Sequence, residues 1–190
     1  MDLIIDREFK ELIPPLTTEE YTGLEKSLIE EGCRDALVVW QNVIVDGHNR
    51  YEICKKHDIA FNVVEKDFPD KNAAKVWIIE NQFNRRNLPI YVRGELMLKL
   101  KPLIAAKAKE NQLSTLAQFA VPQNSAKREQ IETREELAKL SGVSHDTISR
   151  IEKIAGKAPE EVKQKLRMGE MSVNEAYTRL KRAEKEKRQE

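Results

Sequence analysis

Two short stretches gather the side chains that could do chemistry. In the first, Val43-Ile44-Val45 runs into Asp46-Gly47-His48-Asn49-Arg50, a strand entering a glycine turn that opens a helix. Such a turn presents unpaired backbone N–H groups at a helix N-terminus, a natural seat for a phosphate. Gly47 permits close backbone approach, Arg50 adds a fork of donors, and His48 can hydrogen-bond an anion or donate a proton. In the second, Glu80-Asn81-Gln82-Phe83-Asn84-Arg85-Arg86-Asn87 packs polar groups behind the apolar Trp77-Ile78-Ile79. Adjacent Arg85 and Arg86 can balance a polyphosphate, while Glu80 and Asn81 offer oxygen ligands suited to Mg²⁺. Each stretch also has an ordinary reading, as a common Asp-Gly turn and as a basic helix end favoured by the macrodipole. Their pairing weighs more than either alone.

Residues 133–154 suggest a different chemistry. Thr133 and Glu136 form a capping box, Leu137 and Leu140 face inward, and Ala138 is small where a second helix must cross. Gly142 allows a tight turn, Val143 packs into it, and Ser144 caps the next helix, whose Ile148 and Ile151 are spaced by three. This is the framework of a DNA-reading helix-turn-helix, with an ordinary helical hairpin as its alternative. Ser144, His145, Thr147, Ser149 and Arg150 face outward, able to reach base edges and phosphates, and Lys153 suits phosphate neutralisation.

The elements that must position these groups divide the chain. Before residue 84 the pattern mixes short strands and helices. Leu3-Ile4-Ile5 reads as a strand, and Thr17 caps a helix that buries Tyr21, Leu24, Leu28 and Ile29 and ends at Gly32. Leu37–Trp40 and Val43–Val45 form a hairpin across Gln41-Asn42. A helix follows over residues 49–57, then a strand at 61–64 and a helix led by residues 73–79. Beyond residue 88 the pattern is helical: a basic helix over 89–110 with Pro102 inside it, a loop or linker at 111–130, and short helices at 133–140, 145–154, 159–167 and 172–188. The fold class is therefore α+β, a small mixed α/β domain (1–88), a connecting helix (89–110), a linker (111–130) and an all-helical domain (131–190).

Composition sets the outer limits. The chain has 190 residues, a formal net charge of +1, two cysteines and three histidines. Two scattered cysteines suit a reducing cytosol better than a disulfide scaffold or a zinc cage. No apolar run approaches the ~20 residues of a membrane span, so the expectation is a cytoplasmic protein associated with DNA. The near-zero total hides a net of −7 over residues 1–84, +5 over 85–110 and +3 over 111–190. Attraction to a polyanion follows local potential, not the sum.

Four segments in order resemble the ParB/sulfiredoxin superfamily, and more closely ParB-type DNA-binding proteins, over roughly residues 1–178. They are the hairpin leading to Gly47-His48-Asn49-Arg50, the Glu80-Asn81-Gln82-Phe83-Asn84-Arg85 segment, the helix-turn-helix, and Ala158-Pro159-Glu160-Glu161-Val162 through Leu166-Arg167-Met168-Gly169-Glu170-Met171-Ser172. The resemblance implies a nucleotide pocket, CTP in the family, with Mg²⁺. Gly47, His48, Asn49, Arg50, Asn81, Arg85 and Arg86 would bind the nucleotide, and Glu80 and Asn81 the metal. It also implies double-stranded DNA as partner, a homodimer, and a role in plasmid partition, chromosome segregation or transcription regulation. The family's turn usually reads Gly-Glu-Arg-Arg, so this chain lacks one carboxylate and one guanidinium there. The enzymatic reading is accordingly a weak nucleotide triphosphatase, with Asp46, His48 and Glu80 as catalytic candidates. Asp46-Gly47-His48-Asn49-Arg50 is also similar to the Asp-Gly-His-x-Arg turn of small-molecule kinases of the superfamily, including free-serine kinases. That makes phosphoryl transfer the alternative, with Asp46 positioning metal or acceptor.

Overall fold

The computed structural model describes the backbone of residues 2–85, 88–116 and 141–186, and the side chains of 2–83, 88–105 and 141–186. The chain divides into two compact units, Met1–Gln82 and Phe83–Glu190. In the first, α1 (Arg7–Lys10) and α2 (Thr18–Glu31) precede β1 (Leu37–Trp40), β2 (Val43–Asp46), α3 (His48–His57) and β3 (Val63–Glu65). Helix α4 (Lys71–Arg85) closes that unit and carries on into the second.

Local chemistry explains these boundaries. At α2, the Thr17 hydroxyl accepts from Glu20 N–H at 3.1 Å and Thr17 N–H donates to Glu20 Oε2 at 2.8 Å, a complete capping box. Gly32, at φ +75°, ends the helix. Gln41 and Asn42 both adopt positive φ, 49° and 66°, the pairing that a two-residue hairpin with primed turn geometry requires. The sheet has the order β2-β1-β3, with β1 antiparallel to β2 and parallel to β3. A register shift between Val38 and Val39 marks a bulge in the hairpin. Leu37, Val39 and Ile44 point from the sheet into a core shared with Leu3 and Tyr51. A second cluster sets Leu28 of α2 against Ile53 and Cys54 of α3.

Two expectations for this unit are corrected. Leu3-Ile4-Ile5 contributes a single parallel bridge, Ile4 to Val43, in place of a strand. Asp6 caps α1 immediately afterwards, accepting from Glu8 N–H at 2.8 Å, so the extended stretch has no room to grow. Ile29 is 55% exposed, off the buried stripe. Five residues beyond Leu24, it lies about 140° further round the helix.

The second unit is helical among the described residues: α5 (Ile90–Leu116), α6 (His145–Lys157), α7 (Glu160–Arg167) and α8 (Val173–Glu186). Helix α5 runs past Glu110 to Leu116, into the expected linker, since neither Gly nor Pro occurs between Pro102 and Pro122 to stop it. Tyr91, Val143, Ile151, Ile154, Leu166 and Ala176 make one core that joins all four helices. A Cβ at Gly94 would sit 2.3 Å from Ile151 Cδ1, so glycine is what lets α5 and α6 approach so closely. Arg167 of α7 clamps Glu95 of α5 through two nitrogens, at 2.9 and 2.8 Å.

Candidate functional site

Strand β2 ends at Asp46 and α3 begins at His48, with Gly47 between them at φ +97°. Here glycine is required twice over. The backbone is left-handed, and a Cβ would come within 2.4 Å of Leu37 Cδ2 in the core. The turn leaves the N-terminus of α3 without any side-chain cap. A helix start of this kind is a usual seat for a phosphate, because its first N–H groups have no acceptor within the helix.

Around this turn the anticipated residues separate into a corner and a cleft. At the corner, Asp46 is 7% exposed and gathers two partners. Arg50 Nη2 donates to its Oδ2 at 3.1 Å, and Asn81 Nδ2 donates to its Oδ1 at 3.3 Å. Asn81 comes from α4, thirty-five positions away, so the two stretches singled out by sequence do meet. Arg50 also donates to the Ala36 carbonyl at 3.4 Å, and its Nε is buried with no partner. Glu80 is half-buried in the preceding position of α4. The side chains of Arg85 and Arg86 lie outside the described residues. Among the described residues no group of three His, Cys, Asp or Glu side chains converges as a metal cluster.

His48 and Asn49 turn the other way, into an open cleft of about 490 Å³. Its further lining includes Arg7 and Lys10 of α1, Tyr21 of α2 and Glu52 of α3. His48 is 2% exposed, and neither ring nitrogen has a hydrogen-bond partner. Burial, reinforced by the Lys10 ammonium, pushes its pKa down to about 4, against the partial opposition of Asp46, Glu52 and Asp6. The imidazole is thus neutral at pH 7, with one N–H to give and one lone pair to receive. Lys10 pairs with Glu52, and Arg7 with Glu11 at 2.8 Å. Arg7, Lys10 and Tyr21 are not among the site residues expected from the sequence, where Tyr21 figures only as a buried position of its helix. They precede the glycine turn by 26 or more positions, and no motif joins them to it.

Helix α6 carries the anticipated DNA-facing residues. Ser144 caps it as expected, accepting from Thr147 N–H at 3.4 Å, and its hydroxyl also meets that of Thr147 at 2.9 Å. His145 and Lys153 are exposed, whereas Thr147, Ser149 and Arg150 are half-buried. Gly142 has the positive φ, 62°, expected of the turn before α6. The helix expected at 133–140, which would complete a helix-turn-helix, lies outside the described residues. Ile151 and Ile154 are the fully buried positions of α6, and Ile148 is only partly so.

No family model and no curated protein matches the chain. Solved structures do. The chain is similar to the C2221 form of a Pnob8-like ParB-N domain, with a TM-score of 0.61 and 23% identity, covering 92% of this chain and 74% of that one. It is similar to a second structure of the pNOB8-like ParB N-domain at a TM-score of 0.58 and 22% identity, covering 92% and 69%. A weaker likeness, TM-score 0.48 and 16% identity over 92% and 79%, is to a C-terminally truncated chromosome-partitioning protein ParB from Caulobacter crescentus complexed to the centromeric parS site.

Proposed function

We infer, from a chain with the fold of a ParB N-domain, a ParB-like DNA-binding protein whose first unit takes a nucleotide of the CTP class. One observation carries the nucleotide reading: the uncapped N-terminus of α3 stands beside His48, buried with both ring nitrogens unpartnered, at the wall of a cleft. Buried polar groups are rarely left unsatisfied, and a phosphate would answer both features. Asn49, Lys10 and Arg7 would add donors to it. Asp46, Arg50 and Asn81 would set the turn's shape, and Glu80 with the Asn81 amide oxygen would serve the Mg²⁺ that accompanies a triphosphate. The reading of Asp46 as a kinase residue has less support, because Arg50 and Asn81 already engage both carboxylate oxygens.

The DNA reading rests on α6 and its exposed polar start. Partition or transcription regulation is the process that such a pair of activities serves. A thermal-shift titration of CTP, ATP and GTP with Mg²⁺ tests the nucleotide reading. We expect CTP to raise Tm by several degrees in the wild type and by less in His48→Ala, after allowing for that variant's own Tm. No shift with any nucleotide overturns it.

A further inference from the structure

Tyr177 on α8 has three cations over its ring. The Arg150 guanidinium carbon lies 5.8 Å from the ring centroid, Lys153 Nζ 5.8 Å and Lys181 Nζ 5.3 Å. Lys153 also donates to the phenolic oxygen at 3.4 Å, which with the Lys181 charge holds the Tyr177 hydroxyl below the ordinary phenol range. Arg150 donates to the Asn174 side-chain oxygen one turn away. Two helices thus contribute to one aromatic platform bearing three positive charges.

Three other cations of this helix pair meet carboxylates. Lys157 meets Glu184 at 2.5 Å, Arg179 meets Glu175 at 2.8 Å, and Arg182 meets Glu186 at 3.3 Å. Among the described residues, none of Arg150, Lys153 and Lys181 has a carboxylate within ion-pair range. Three like charges collected on one ring repel one another, and the ring quadrupole returns only about 0.5–1 kcal/mol for each at an exposed site. Such a patch gains most from an external polyanion.

We propose that the Tyr177-centred cluster of Arg150, Lys153 and Lys181 is a phosphate-backbone contact for duplex DNA, bridging α6 and α8. The inference rests on the DNA reading above and adds to it a surface on α8. Arg150, held by Asn174 and stacked on Tyr177, contacts backbone and leaves base edges to the start of α6. Tyr177 is a positioning residue that fixes where the charges sit. DNA is favoured over an acidic protein because two of the three cations lie on α6, the helix whose exposed start carries polar groups that suit a groove.

The test is fluorescence anisotropy of the full chain with a labelled mixed-sequence duplex of about three helical turns, over a range of salt concentrations. Each phosphate contact contributes about 0.9 to the log–log salt slope. Lys153→Gln and Lys181→Gln should each flatten the slope by about that amount, weakening binding about eightfold at 0.1 M salt relative to 1 M. Tyr177→Phe keeps the ring and should bind as the wild type does, while Tyr177→Leu should lose affinity. Lys26→Gln, in the first unit, should leave the slope unchanged. Wild-type binding with unaltered slopes in both lysine variants overturns the cluster and leaves the DNA reading standing. No wild-type binding at any salt overturns both. Displacement by polyglutamate as effective as that by unlabelled duplex of equal charge reassigns the patch to acidic proteins and overturns the proposal.

Discussion

His48 is an imidazole kept neutral by where it sits, and this makes acid a specific threat to the first unit. Its folded pKa of about 4 lies below the ordinary value of 6.5, so between these limits the unfolded chain binds the extra proton. Stability from this group is complete above pH 6.5 and is lost as pH falls toward 4, on the order of 3 kcal/mol in all. Urea titrations at pH 7 and pH 5 should show about 2 kcal/mol of that loss in the wild type and much less in His48→Gln. The lysines paired with Asp6, Glu8 and Glu25 hold these carboxylates below their ordinary range, so their contribution is lost only as pH falls through that range and beyond it. Asp46→Ala should cost about 3 kcal/mol by stranding the largely buried Arg50 guanidinium, measured by chemical denaturation. Gly47 was legible as a special turn, but its reason was not. Sequence suggests room for a ligand, whereas the left-handed backbone and Leu37 show that the fold itself demands glycine. Gly47→Ala should therefore lower stability by about 1–3 kcal/mol whether or not a nucleotide is present.

Helices and strands with self-contained signals were the legible elements. The Thr17 cap, the Gly32 stop, the Gln41-Asn42 hairpin and the Ser144 cap depend on neighbours within a few positions, and all four form. What escaped depends on distant partners. The cleft joins α1 and α2 to α3 through residues that share no pattern, and α6 buries Ile154 because Tyr91 and Leu166 come to meet it. Gly94 belongs to the same class, an unremarked glycine inside a helix until α6 is seen against it. Gly94→Ala should destabilise the second unit by about 1–3 kcal/mol, although alanine is the better helix former, because Ile151 Cδ1 occupies the space its methyl needs. Thermal denaturation of Gly94→Ala, and of a Gly94→Ala/Ile151→Val pair that restores part of the loss, checks this.

Across the whole molecule, charge is distributed by unit, and the average conceals it. The isoelectric point of about 7.7 puts net charge near zero at neutral pH, yet the first 84 residues are acidic and the remainder basic. Raising pH from 7 to 8.5 reverses the sign of the total without discharging a lysine or arginine. DNA retention should accordingly change by less than about twofold across that interval in a filter-binding assay, as local potential dictates. Among the described residues no helix is long and apolar enough to cross a membrane. The two thiols, finally, open a practical route. Cys33 and Cys54 are both buried, and burial pushes the Cys54 thiol up to about 11, which starves it of reactive thiolate. A maleimide dye or spin label should pass both by, so a single engineered cysteine on α2 or α8 can report movement in the folded chain with its native sulfurs left in place.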